Sequence, residues 1–107
     1  MANFYKNAKV DLTTTGVTTL YSAPASKTAI FKSILVSEDS GNADTITATI
    51  TDSSDAVFSL FKVKAVAANT TVELITQPLV VETGETLKFT AATANRLHVV
   101  ASYLEIS

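Results

Sequence analysis

Hydrophobic and polar residues alternate along several segments of this chain, which is the pattern of half-buried β-strands. In residues 44–51, Ile46, Ala48 and Ile50 fall on one face and threonines on the other. Residues 86–92 repeat the pattern. Each of these segments therefore predicts a strand with one face toward a hydrophobic core.

Turn-forming residues separate the alternating segments, as in residues 40–42 and 52–55. Turns at intervals of about 8–12 residues are typical of sandwiches and barrels. We predict an all-β fold, a two-sheet antiparallel β-sandwich of jelly-roll-like or immunoglobulin-like type with about eight or nine short strands. Alanines leave a short helical turn as the alternative for residues 63–68. The predicted strands cover residues 4–12, 17–22, 28–38, 44–51, 56–64, 70–76, 79–82, 86–92 and 96–106.

Two segments, residues 30–36 and 97–106, are apolar on both faces. Strands of this kind are buried on both sides, whereas the outer face of a two-layer sandwich is normally wet. A loop, an N-terminal arm or another subunit is therefore expected to cover them. Residues 1–12 form either such an arm, docking through Phe4 and Tyr5, or an edge strand.

Length and composition place further limits on the chain. Its 107 residues suit a single β-sandwich domain over residues 1–107. Only 17% of the residues are charged, against a usual quarter or so. Interface cores are depleted in charge, so this composition indicates assembly with neighbours.

Basic residues are scattered, which argues against direct nucleic-acid binding. No apolar run approaches the ~18 residues of a membrane helix, and no signal-peptide pattern is present, so we expect no membrane and synthesis in the cytoplasm.

The sequence contains no convincing catalytic or metal-binding constellation. The only histidine, His98, lies on the last predicted strand, and no serine elbow of the Gly-x-Ser-x-Gly type accompanies it. The acidic segment 38–44 lacks the calcium-loop pattern, and its residues are common turn formers. We therefore expect no enzymatic activity, no cofactor, and no catalytic, cofactor-binding or metal-binding residues.

Five phrases resemble small structural proteins of tailed bacteriophages, notably those infecting marine bacteria and cyanobacteria. Together they cover most of the chain after residue 18, and they consist of strand–turn–strand units without a reactive group. Their specificity is therefore for a fold family and not for a mechanism. The phrases are TLYSAPASKTAI (19–30), KSILVS (32–37), VAANTTVEL (66–74), PLVVETGETL (78–87) and ANRLHVVASYLE (94–105).

The resemblance implies a structural virion protein. We expect a capsid decoration or cement protein that binds and stabilises the major capsid shell from the capsid exterior, after synthesis in the host bacterial cytoplasm. The alternative is a tail fibre, head fibre or baseplate module in assembly or in recognition of host-surface carbohydrate. Expected partners are the major capsid protein or other virion proteins, together with further copies of the chain in a homo-oligomer, for which a trimer on a local threefold axis is one arrangement. The candidate partner-interface residues are Phe4, Tyr5, Arg96, His98, Val100, Tyr103 and Leu104.

Overall fold

The computed structural model describes residues 3–75 and 77–107, and within these ranges the regular elements are nine β-strands. The strands are β1 (Asn3–Leu12), β2 (Thr18–Ser22), β3 (Thr28–Glu38), β4 (Asp44–Thr51), β5 (Val57–Val66), β6 (Thr71–Glu73), β7 (Leu79–Val81), β8 (Thr86–Ala91) and β9 (Leu97–Ile106). The predicted all-β class is confirmed. The sixth strand is shorter than the predicted 70–76. Residue 76, and residues 1 and 2 of the expected arm, lie outside the described residues.

The strands form two antiparallel sheets. Sheet A has the order β1-β9-β3-β6, and β7 also pairs with β3, beyond the end of β6. Sheet B has the order β2-β8-β4-β5. In the described part of the chain, Asn3–Leu12 is thus an edge strand of sheet A, hydrogen-bonded along its length to β9.

The pairings are nested like those of one long folded hairpin. The innermost pair is β4 with β5, and around it lie β3 with β6 and β7, then β2 with β8, and finally β1 with β9. Successive pairs alternate between the two sheets. A two-sheet sandwich built by rolling up such a ribbon is a jelly roll, which decides between the two sandwich types predicted from the sequence.

The hydrophobic core lies between the inner faces of the two sheets. Sheet A contributes the odd-numbered positions of β9, and sheet B contributes the alternating positions of β4 and β8. The sequence patterns therefore assigned the inward faces of β4 and β8 correctly. The largest fully buried side chains are Phe31, Phe89, Leu12, Ile34, Ile46, Leu87, Leu97, Glu38, Val36, Val66, Val81 and Val99.

Strand β5 continues to Val66, so the alternative of a short helical turn at residues 63–68 is wrong. Alternation fails there because the register of β5 against β4 shifts twice, which marks two β-bulges. Val63, at the second shift, has a φ of 54°. Lys62 and Lys64 are both exposed on this edge strand, in line with the expected use of lysine at sheet edges.

Candidate interaction surfaces

The outer face of sheet A carries a continuous row of apolar side chains. The register places Tyr5 of β1 beside Leu104 of β9, Leu104 beside Ile30 of β3, and Ile30 beside Val80 of β7. Tyr5 is 80% exposed and Val80 is 48% exposed. Within the described ranges, neither a loop nor an arm packs over this row.

A second row crosses the same face about four residues further along the strands. It runs from Lys9 of β1 to Val100 of β9, Leu35 of β3 and Glu73 of β6. Val100 and Leu35 are 40% and 37% exposed. This row therefore has an apolar centre, a positive charge at one edge of the sheet and a negative charge at the other. Together, the two rows are called the outer face of sheet A below.

A shallow pocket of about 350 Å³ lies on this face beside the second row, and Lys9, Ser37, His98 and Val100 are among the residues that line it. His98 Nε2 lies 3.3 Å from Asp11 Oδ1. Its Nδ1 lies 3.7 Å from a carboxylate oxygen of Asp39. The His98 side chain is 41% exposed, as expected for a strand residue that points outward.

The structure distributes the sequence-predicted interface residues over different surroundings. Tyr5, His98, Val100 and Leu104 share the outer face of sheet A. Phe4 is half exposed, but strand alternation directs it away from Tyr5, and the Lys6 ammonium lies 5.8 Å from the centre of its ring.

Arg96 has a structural contact, because its guanidinium donates a hydrogen bond of 3.0 Å to the carbonyl oxygen of Ala43. It therefore ties the β8–β9 connection to the β3–β4 connection. This bond leaves the rest of the guanidinium to other contacts.

The prediction that Tyr103 is an interface residue is corrected, because only 7% of this residue is exposed. It occupies an inward position of β9, where its ring stacks on Phe31 at a centroid distance of 4.8 Å. Tyr21 from sheet B completes the cluster at 4.9 Å from Tyr103 and 5.3 Å from Phe31. The cluster joins the two sheets and does not face a partner.

A buried carboxylate lies beside this aromatic cluster. Glu105, which is 3% exposed, accepts hydrogen bonds from Lys6 Nζ at 3.0 Å and from the Tyr21 hydroxyl at 2.8 Å. Lys27 Nζ lies 3.6 Å away. The bonds from Lys6 and Tyr21 lower the pKa of Glu105, so it stays ionised. Burial, and then the bond to Glu105, raises the pKa of Tyr21, so its hydroxyl stays a donor. One carboxylate thus joins β1, β9 and sheet B.

A second buried carboxylate, Glu38, organises two loops at the end of β3. It accepts hydrogen bonds from the backbone N–H groups of Ser40, Gly41 and Asn42 at 2.9–3.2 Å, and from that of Asn69 at 3.1 Å. The Ser40 hydroxyl is a further donor. The acidic segment 38–44 therefore anchors two loops, and the carboxylate of Glu38 at its start is already occupied by hydrogen-bond donors.

Acid is expected to weaken this anchor. Burial by itself raises the pKa of Glu38, but the hydrogen bonds from Ser40, Asn69 and Gly41 outweigh it and lower the pKa from 4.5 to about 2. Because the folded pKa is the lower one, the ionised group stabilises the fold above about pH 4.5, and this contribution disappears as the pH falls toward about 2.

Glu38→Gln, which has the shape of the protonated acid, should therefore melt below the wild type near neutral pH, and the gap should shrink at about pH 2.5. Thermal unfolding followed by circular dichroism measures both values. The exposed Glu82→Gln variant is the matched control and should show no such gap. A gap for Glu38→Gln that is independent of pH would contradict this account.

A second exposed apolar surface lies on the other sheet, along the edge strand β5. Val57, Phe58 and Val63 are 62%, 55% and 59% exposed. By register, Phe58 lies on the same face as Ile50 and Val57 on the face of Thr51, so these side chains flank the two sides of the edge strand. The two bulges interrupt the regular ladder at the edge, which hinders pairing with a foreign strand. The three residues are called the β5 edge surface below.

Val63 is under backbone strain. A positive φ is unfavourable for residues with a Cβ and is most unusual for β-branched ones, whereas asparagine tolerates it. We expect Val63→Asn to raise the free energy of unfolding by about 1 kcal/mol. Urea unfolding measures this change. Val57→Asn, on the same strand but without a positive φ, is the control and should give no gain. Equal effects at both positions would exclude strain as the cause.

No group of three or more histidine, aspartate or glutamate side chains is arranged to hold a metal ion in the described part of the chain. Nor does any helix formed by residues 3–75 and 77–107 have the length and apolar character needed to cross a bilayer.

Sequence reasoning did not pick out Lys9, Glu73 and Val80 as surface partners of the last strand. Their places depend on which strands lie beside β9 and β3, and alternation within a single strand carries no such information. It also overlooked the β5 edge surface, because the position of β5 at the edge of sheet B depends on the strand order and the two bulges break the alternation within the strand.

These features define the chain as a jelly-roll β-sandwich whose described residues include exposed apolar side chains on both sheets. No protein-family model matches the chain, and no curated protein matches it in sequence. Among solved structures, a chain from the structure of infectious bursal disease virus, Gx strain, aligns with a TM-score of 0.53 and 14% identity over 96% of this chain and 28% of the viral chain. A chain from the Gt strain gives a TM-score of 0.46 and 9% identity over 98% of this chain and 30% of its own length.

The chain thus spans less than a third of either viral chain. At this identity the first alignment shows a shared fold only. A β-sandwich with this arrangement therefore occurs within a larger chain of a solved virus structure.

Proposed function

We propose that the chain is a structural virion protein of a tailed bacteriophage that decorates the capsid exterior and stabilises the major capsid shell. The observation that carries the proposal is the outer face of sheet A. It exposes Tyr5, Val80, Val100 and Leu35 on a chain in which only 17% of the residues are charged. Apolar rows of this extent mark surfaces that are covered in an assembly.

The topology supports the same proposal. Jelly rolls are recurrent in viral capsid domains, because the rolled ribbon makes a rigid block with short connections. The fold shared with a chain of a solved virus structure agrees with this use. The phrases that resemble phage structural proteins cover most of β2, β3, β6, β7 and β9, which include most of the outer face of sheet A.

A cement protein must touch at least two neighbours at once. The outer face of sheet A and the β5 edge surface belong to different sheets, so one rigid domain presents two separate contact areas. The function proposed is accordingly one of binding without chemistry. Its stabilising effect on a shell comes from joining neighbours that would otherwise separate under internal pressure.

The second candidate is a tail fibre, head fibre or baseplate module that recognises carbohydrate. It is favoured by the topology, since jelly rolls also form lectin domains. The positions of the exposed aromatic residues favour it less. Phe4 and Tyr5 point to opposite sides of β1, and Phe58 lies on the other sheet, so the three do not line a common groove.

Cryo-electron microscopy of the intact particle that encodes this chain distinguishes the two. Copies ordered on the capsid exterior in icosahedral arrangement are the expected result. Particles made without the chain should then lose their DNA at a lower temperature. Copies confined to the tail would overturn the capsid proposal in favour of the fibre or baseplate module, and a particle with no copies would overturn both.

A further inference from the structure

We infer that the outer face of sheet A binds a second copy of the same chain, so that the protein forms a two-fold symmetric dimer. In this dimer the second copy covers the outer face of sheet A, and the β5 edge surface of each copy remains for other neighbours. The inference goes beyond the proposed function, because such a dimer forms or fails to form whatever the location of the protein in a particle. It rests on the order of side chains across the sheet.

Each of the two rows on this face is complementary to a second copy of the same row that runs in the opposite order. A two-fold axis parallel to the strands, between β9 and β3, places each row over the same row of the second copy in the opposite order. In the first row, Tyr5 then meets Val80 of the other copy, and Leu104 meets Ile30. The contacts of this row are apolar throughout.

The charges of the second row, Lys9 and Glu73, favour this axis over others. The same operation places Lys9 of each copy against Glu73 of the other, with Val100 over Leu35 at the centre. Two opposite charges therefore meet at each end of the second row. The pocket beside Lys9 and Val100 gives the incoming Glu73 side chain a place to enter, and Asp11, which also lines the pocket, lies 3.3 Å from His98.

The face is large enough for a specific dimer. Three strands spaced at ~4.8 Å and about ten residues long at ~3.4 Å per residue, with β6 and β7 adding about six residues at the edge, cover roughly 590 Å² per copy. The total of about 1,200 Å² lies at the lower end of the range of specific interfaces. Lys32, which is exposed at the bulge of β3, is a charge that the interface must accommodate, because the operation places it over the Ser102 row of the other copy and beside the axis that relates it to the other Lys32.

Charge reversal tests the arrangement. Sedimentation equilibrium of the full chain should show a dimer, and Lys9→Glu or Glu73→Lys should each weaken it at least about tenfold, since each creates two like-charge contacts per dimer. The double variant Lys9→Glu/Glu73→Lys should restore the dimer, because it exchanges the charges across the axis. Lys62→Glu, on the exposed β5 edge, is the matched control and should leave association unchanged.

Circular dichroism melting of each variant shows that any loss of association is not a loss of folding. A wild-type monomer at about 100 µM would overturn the inference. A trimer would do so as well, and so would a double variant that stays as weak as the single ones. None of these results bears on where the chain lies in a particle, so this inference and the proposed function can fail separately.

Discussion

Replacing Phe31 with alanine should lower the free energy of unfolding by about 4 kcal/mol, the largest effect that we expect from a single substitution. Phe31 is fully buried, and its ring contacts Tyr21 of sheet B and Tyr103 of β9. Its removal leaves a cavity between the two sheets and exposes the flanking rings to a void that they cannot fill by moving alone. Urea unfolding measures the loss, provided that the m-value, which is the slope of the unfolding free energy against urea concentration, is the same for both proteins.

Phe58→Ala is the matched control, since it makes the same change on the exposed β5 edge surface. We expect it to cost less than about 1 kcal/mol. Should Phe31→Ala fail to fold, Phe31→Leu keeps part of the side chain and should cost about 1–2 kcal/mol. Similar losses at Phe31 and Phe58 would contradict the placement of the core.

Replacing Glu105 with alanine should lower the free energy of unfolding by about 2–3 kcal/mol. The substitution leaves the buried hydroxyl of Tyr21 without its acceptor and removes the ion pair that holds Lys6 of β1 over the end of the sandwich. Lys6 contributes the smaller part of the loss, because its side chain is 46% exposed and can be rehydrated.

Glu105→Gln separates the two contributions, because the amide oxygen still accepts from Tyr21 while the charge is gone. It should therefore be less destabilising than Glu105→Ala in urea unfolding. Glu82→Ala, at an exposed position, is the control and should be close to neutral. If Glu105→Ala were equally neutral, the carboxylate would have no structural role.

Much of the fold could be predicted from local patterns. The alternation of Ile46, Ala48 and Ile50, and that of Leu87 and Phe89, fixes which way β4 and β8 face, because burial on one side requires a period of two. Turn residues marked the strand ends for the same local reason. The order of the strands in the sheets could not be predicted from the sequence, because nested pairing depends on contacts between residues far apart in the chain.

The placement of the candidate interface residues was predicted only in part. Val100 and Leu104 could be singled out because two apolar faces on one strand are visible in the sequence, and both lie on the outer face of sheet A, while their role in binding stays a prediction. Tyr103 was included wrongly, since that same property hides which face is inward until the neighbouring strands are known. Nothing in the sequence around Lys9 or Glu73 indicates a role at an interface. They become candidates only because the strand pairing places them at opposite ends of one row across the sheet.

The nested pairing also sets the order in which the protein can be completed during synthesis. The β4–β5 hairpin closes over a short turn and carries little loop entropy, whereas β1 pairs with a strand from the far end of the domain. Each inner pair shortens the effective loop of the next one outward, so closure proceeds from the middle of the ribbon. On the ribosome, β1 emerges first yet has no partner strand until β9 has left the exit tunnel. Until that moment every nascent chain presents an unpaired leading strand to its neighbours on the same messenger.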